Sequence, residues 1–399
     1  MKKQTKYPVV LLHGMFGWGQ QQLLERVVPY FGFYNVNIRK MFQKEGIHTV
    51  SPSMGPFTGA WDRACEVYAQ LVGGTVDYGK AHSAKYGHER FGRTYTKALL
   101  PEWGSLDENG DLIKVNLIGH SFGGATGRML IELLAHGSAE ERRATSPEDL
   151  SPLFSGGHAD WVHSMTALAA PHDGSTIFNG LAGTVFLPIA RIFCSLINVL
   201  DCTPFKSIYD LGLDMFEITR KPKHFMNPLK GWKGKELKAF FAQHDNLVYD
   251  ATLEGAATLN KTLGTEPNVY YLSYHGCRTV RLPVLGWQIP RLKSVPVFNI
   301  IGFLIGLQTK GAPNKSYRPN DMLVNEVCGQ APSGDPRTDE SGFPKPGNPY
   351  SPGIWHVFPV EIKDHLSYCG WAEPRKDYAE FYRNIYNTVS LLHPTDPRS

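Results

Sequence analysis

IKVNLIGHSFGGATGR, residues Ile113–Arg128, joins an apolar, β-prone run to a sharp glycine-flanked turn and then to a helix-like run, Ala125–Leu134, ending near Gly137. Strand, G-x-S-x-G, helix is the context that turns a weak five-residue pattern into a nucleophile elbow. A chance match in a glycine-rich loop would lack both flanks. Gly119 and Gly123 are sterically required: a Cβ at either place would strike the neighbouring strand or helix. The turn presents the Ser121 hydroxyl at the positive end of the following helix.

The chain has 399 residues and a hydrophobic content of 42%, enough for one large α/β domain or two smaller ones. Its formal net charge of +4 includes no basic tract, which argues against nucleic-acid binding. Six cysteines are scattered, and none forms a C-x-x-C pair. Neither a zinc ribbon nor a disulfide framework follows, although one bridge, Cys194 to Cys202, stays open. Met1–Lys6 has the charge of a leader, but the apolar run Pro8–Leu12 is too short for one and stops at His13-Gly14. Either the protein is intracellular or a leader precedes the numbering. No uncharged apolar span of about 18 residues exists to cross a membrane.

Along the chain, Tyr7–Leu12 reads as a buried strand running into the loop His13–Gly19. Residues 45–56 read as a second strand and turn, Asp62–Val72 as a helix, and Asp160–Leu168 as another strand. Residues 176–218 differ in character, being rich in apolar side chains with only Arg191 and Asp201 charged as far as residue 201, and Pro188 should end or kink any helix there. Ala251–Asn260 reads as a helix and Asn268–Ser273 as a strand. Residues 329–353, rich in Pro, Gly and charge, read as a surface loop, Tyr378–Leu392 as a closing amphipathic helix, and His393–Ser399 as a frayed tail. Strands alternating with helices predict an α/β fold with a mainly parallel central sheet flanked by helices.

A serine hydroxyl needs a base within reach, and the base needs an orienting carboxylate. In elbow hydrolases the chain order is Ser, then Asp or Glu, then His. For the base the choice is His365, on a loop before the last helix. His356 is the rival, while His163 and His172 come too early. For the carboxylate the choice is Asp321, between a proline break and an apolar run. Asp335 and Asp339 fall in the Pro/Gly-rich loop and read as solvated, and Asp364 would struggle to turn back onto its neighbour. The oxyanion hole should use the backbone N–H groups of Phe122, directly after the nucleophile, and of Met15, after the first strand.

These motifs resemble one family, the secreted lipases of Gram-positive bacteria of the thermophilic bacillus and staphylococcal type (bacterial lipase family I.5). The resemblance rests on VVLLHGMFGWG at Val9–Gly19, WDRACEVYAQLVGGTVDYG at Trp61–Gly79, HERFGRTY at His88–Tyr95 and the elbow. It extends to APHDGS at Ala170–Ser175, PNVYYLS at Pro267–Ser273, NDMLVN at Asn320–Asn325 and DHL at Asp364–Leu366. It implies an α/β-hydrolase fold in a single domain over residues 1–399, with Ser121, Asp321 and His365 as the triad and Met15 and Phe122 as oxyanion donors. Two departures stand out: Gly119 and Phe122 replace the Ala and Gln of many relatives, and the lid region matches only in apolar character.

The resemblance also implies a zinc-binding insertion at residues 58–100, with Asp62, His82, His88 and Asp245 as ligands. Two imidazoles and two carboxylates make a closed, structural Zn²⁺ site. Relatives hold Ca²⁺ through acids just after the catalytic histidine. Ser367 and Ala372 stand there, without carboxylates, so no such calcium site is expected, although Glu373 lies one place along. Residues 176–245 are implied to be a helical lid that opens at a lipid surface. The expected activity is hydrolysis of water-insoluble carboxylic esters, acylglycerols first and aliphatic polyesters second, by a secreted enzyme. A soluble short-chain carboxylesterase or an acyltransferase on the same triad is the alternative.

Overall fold

The computed structural model describes residues 5–201, 207–216, 235–291, 296–307, 311–345 and 347–393. Seven strands build the central sheet. They are β1 (Val9–Leu12), β2 (Thr49–Val50), β3 (Val115–His120), β4 (Val162–Leu168), β5 (Tyr270–Tyr274), β6 (Arg337–Asp339) and β7 (Trp355–Val357). Their spatial order is β6-β7-β5-β4-β3-β1-β2, and every pairing is parallel. Parallel neighbours require crossovers, and the crossovers cover both faces of the sheet.

Side-chain alternation divides each inner strand between two cores. Val10 and Leu12 enter one core with Val115, Leu117, Met165 and Tyr271. Val9 and Leu11 enter the other with Ile118, Leu168 and Leu272. Helices α1 (Ala60–Val72) and α2 (Gly123–His136) close the first face. Two further apolar helices, α3 (Gly180–Asp201) and α4 (Pro296–Leu307), pack on each other above the ends of the strands and form a third core with Phe57 and Tyr209. Helix α5 (Arg375–Ser390) closes the second face through Tyr378, Tyr382, Ile385 and Val389.

Helix α3 runs on through Pro188, so of the two outcomes expected at that proline, an end or a kink, the end is excluded. Two local expectations need correction. Residues 329–353 are not loop throughout, because Arg337–Asp339 forms edge strand β6. All three of its residues are exposed, so no burial pattern marked it. Asp335, in the same stretch, is not solvated: its Oδ2 accepts the Trp355 indole N–H at 3.1 Å and faces Arg128 at 3.6 Å. Cys202 and residues 394–399 lie outside the described residues, as do residues 202–206 and 217–234 of the expected lid.

Candidate active site

The chemistry-bearing residues gather at the carboxyl ends of the strands, where open α/β sheets bind ligands. Ser121 follows the last residue of β3, and its φ is +56°. That left-handed conformation is costly for a side-chain-bearing residue and persists only where the surroundings enforce it. Here its N–H donates to Leu168 O at 2.8 Å, and its carbonyl accepts from Gly124 N–H at 2.9 Å. The glycines leave no choice of residue. A Cβ on Gly119 would lie 2.5 Å from the Gly123 carbonyl oxygen, and one on Gly123 would lie 2.1 Å from that of Leu12.

His365 Nδ1 lies 2.8 Å from Asp321 Oδ2, both side chains being buried. The main chains join as well, His365 N–H donating to Asp321 O at 2.8 Å. The other carboxylate oxygen of Asp321 accepts from Leu323 N–H at 3.0 Å and Val324 N–H at 2.7 Å. The acid is thus aimed by its own turn. Ser121 and His365 line one cavity of about 340 Å³, whose walls include Phe186, Ile189, Phe193, Phe298 and Ile301 from α3 and α4. The rival His356 lies elsewhere, bonded through Nδ1 to Glu340 at 2.7 Å. Asp364 caps the turn after it, accepting Ser367 N–H at 2.8 Å.

Met15 and Phe122 also line the cavity. Neither backbone N–H has a hydrogen-bond partner among the described residues. The loop that carries Met15 is held from beneath by Arg63 on α1. This guanidinium is fully buried. It donates to the His13 carbonyl, to Gly55 O at 2.8 Å and to Thr126 Oγ1 at 2.8 Å, and lies over the Phe122 ring. Burial lowers it to about 10, which still leaves it charged at neutral pH. His13, held well below its ordinary value by burial and by Arg63, stays neutral and accepts Met54 N–H at Nε2. Arg63 was not anticipated: an arginine on an amphipathic helix reads as a solvated residue, and only its place on the apolar face of α1 hints otherwise.

The four side chains expected to hold a metal do come together. One ligand atom from each of Asp62, His82, His88 and Asp245 lies within 4.8 Å of the others. His82 Nε2 is 3.3 Å from both Asp62 Oδ1 and Asp245 Oδ2, and His88 Nε2 is 3.3 Å from Asp245 Oδ2. Yet these atoms are buried without a hydrogen-bond partner, as is Asp62 Oδ2. Buried polar atoms converging without bonds are what a cation would satisfy. The outer supports also fit: Trp61 stacks on His82 with ring centroids 4.9 Å apart, and His88 Nδ1 meets Glu89 O at 2.9 Å, leaving Nε2 free to ligate. A second group, Glu132, His136 and Glu266, is half-exposed, and its histidine is already bonded to Glu266 at 2.7 Å.

A family model described as "Lipase-like, C-terminal domain" matches residues 5–393. Lipase 2 of Staphylococcus aureus is 32% identical over 99% of this chain. The chain spans about half the length of that relative, 55%. Among solved structures, lipase 1 from Pelosinus fermentans has 33% identity and a TM-score of 0.80, covering 98% of this chain and 100% of that one. Staphylococcus hyicus lipase has 29% identity and a TM-score of 0.80, with 98% and 96% covered. With motifs, strand order and matches along nearly all of this chain in agreement, the chain belongs to the staphylococcal-type bacterial lipase family and has the α/β-hydrolase fold.

Proposed function

We propose that this chain is a serine carboxylester hydrolase acting on water-insoluble esters, acylglycerols first. The observation that carries the reading is the Asp321–His365 hydrogen bond at 2.8 Å beside an apolar cavity that Ser121 shares. His365 takes the Ser121 proton as the oxygen attacks the ester carbonyl, and Asp321 stabilises the imidazolium that forms. The Met15 and Phe122 amides receive the oxyanion. His365 then protonates the leaving alcohol, and water releases the acyl group in a second, mirrored step.

The apolar cover supports a lipid substrate. Helices α3 and α4 wall the cavity, yet Leu181, Ile189 and Ile192 on the first, and Val297, Ile300 and Phe303 on the second, are exposed. Phe16, next to Met15, meets Phe193 edge-on at 4.8 Å, so the oxyanion loop and α3 are in contact. A cover of this kind, with α3 inside residues 176–245 and α4 beyond them, opens at low cost only where apolar surface is welcome. Aliphatic polyesters present the same surface and are a second substrate class. Asp62, His82, His88 and Asp245, from the 58–100 insertion and beyond, would hold a Zn²⁺ ion as a closed structural clamp. No helix among the described residues is long and apolar enough to cross a membrane. Secretion is the compartment that suits an enzyme for bulk fat.

The test is turnover of p-nitrophenyl esters against acyl length, for the parent and for Ser121→Ala. The parent should gain rate as a substrate passes its solubility limit, and Ser121→Ala should lose turnover by orders of magnitude. A flat response across the limit, with short acyl groups preferred, would replace the lipase reading by a soluble esterase. Transfer to an added alcohol in place of hydrolysis would mark an acyltransferase.

A further inference from the structure

Three segments must meet around Ser121: the oxyanion loop after β1, the elbow after β3 and the loop that carries His365. The structure joins all three through two buried side chains that the hydrolytic steps do not use. Gly14 N–H donates to Tyr30 Oη at 2.9 Å. Tyr30 Oη lies 2.8 Å from His120 Nδ1. His120 Nε2 lies 2.9 Å from the His365 carbonyl oxygen. Tyr30 and His120 are 7% and 1% exposed, so water does not compete for these bonds.

The two ends of the chain fix the direction of everything between them. A carbonyl oxygen can only accept, so His120 Nε2 carries the proton. His120 Nδ1 is then bare and must accept, so the Tyr30 hydroxyl donates to it. The lone pairs of Tyr30 are left to receive the Gly14 amide, which can only donate. Cys369 Sγ lies 3.3 Å from the same nitrogen, whose one lone pair the hydroxyl takes at the shorter distance of 2.8 Å. Neither backbone end of the chain can reverse, because an amide only donates and a carbonyl only accepts. The arrangement also requires a neutral His120. Burial and the nearby His365 hold its pKa well below the ordinary histidine value. That matters because the rings of His120 and His365 are 4.8 Å apart. A charged neighbour would oppose the imidazolium that catalysis forms on His365.

We propose that Tyr30 and His120 are positioning residues, a one-way hydrogen-bond chain that sets the Met15 amide and the His365 ring relative to Ser121. Gly14 is the contact through which the first end acts: it precedes Met15, and a Cβ there would lie 2.6 Å from Ser121 Cβ. The backbone of His365 is the contact at the other end. The inference rests on the reading of Ser121 and His365 as nucleophile and base.

The experiment is steady-state kinetics on a soluble p-nitrophenyl ester for the parent, Tyr30→Phe, His120→Asn and the double variant. Tyr30→Phe should lose about tenfold in kcat with KM held within about twofold, the mark of an interaction made in the transition state. Because both residues act through one chain, the double variant should lose no more than the worse single variant. Losses that multiply, or a raised KM at unchanged kcat, would overturn the proposal. An independent measurement needs no variant: in ¹⁵N-histidine-labelled parent protein, His120 should give the neutral Nε2–H signature from mildly acidic to alkaline pH. An Nδ1–H tautomer, or titration near the ordinary histidine value, would refute the chain. An active Ser121→Ala would instead remove the hydrolase reading, whereas an inactive Ser121→Ala with wild-type-like Tyr30→Phe removes only this inference.

Discussion

Asp321→Asn changes one atom type and should nearly abolish turnover, for a reason visible in the turn around it. Oδ1 of Asp321 accepts two amides, Leu323 N–H at 3.0 Å and Val324 N–H at 2.7 Å. An asparagine must keep its oxygen there, since an NH₂ group cannot face two N–H donors. Its NH₂ then takes the place of Oδ2, which lies 2.8 Å from His365 Nδ1. His365 Nδ1 must now accept, so the ring proton moves to Nε2. That is the nitrogen that has to be bare to take the Ser121 proton. The variant keeps its shape and holds the wrong tautomer. In serine protease triads the same exchange costs about 10⁴ in kcat, or about 5.4 kcal/mol of transition-state stabilisation. The assay is kcat and KM on a soluble p-nitrophenyl ester, with a melting curve beside it. A kcat lower by about four decades at unchanged KM and melting temperature is expected. Turnover within about tenfold of the parent would refute the tautomer argument and the role given to Asp321.

Three further outcomes follow from the same geometry. Gly14→Ala places a methyl group 2.6 Å from Ser121 Cβ, so it should abolish ester turnover; a fully active variant would show that the loop can move aside. Glu66 is buried on α1, where burial raises its pKa from 4.5 to about 7 while Gly55 N–H, bonded at 2.7 Å, opposes the rise. The folded state therefore keeps a proton that the unfolded chain sheds, and this group's contribution to stability falls as pH rises through that window. Glu66→Gln should gain on the parent in denaturant titrations over the same window, and a difference independent of pH would contradict the assignment. Chelation should lower the melting temperature and added zinc restore it, the metal adding about 2.7 kcal/mol of stability with free zinc at about a hundred times its dissociation constant; Asp245→Asn should blunt the response, and a chelator-insensitive protein without bound metal would end the zinc proposal.

The elbow was legible because it is local. Strand, turn and helix are consecutive, and Gly119 and Gly123 are required by contacts with their immediate surroundings. Asp321 and His365 could be ranked from chain order and from the breaks around them. The four metal-ligating candidates were legible only through the family resemblance, because Asp62 and Asp245 are brought together by folding and no spacing announces them. Arg63, Tyr30 and His120 left no usable signal as a set. Each looks ordinary in its own segment, and their significance lies in bonds that span three loops. Strand β6 was hidden for the opposite reason: it buries nothing, so periodicity had nothing to record.

The margins of the sheet bear on how the protein behaves when molecules crowd together. A long bare strand invites a neighbour to continue the ladder, and aggregation follows. Here one margin, β2, is two residues long, and the other, β6, is three residues long. Strand β6 carries opposite charges, with Arg337 paired to Asp339 at 3.2 Å. Such rims offer little for another copy to pair with. Replacing Arg337 and Asp339 by valine would strip the charges from that rim while keeping its length, and the variant should precipitate at concentrations the intact chain tolerates.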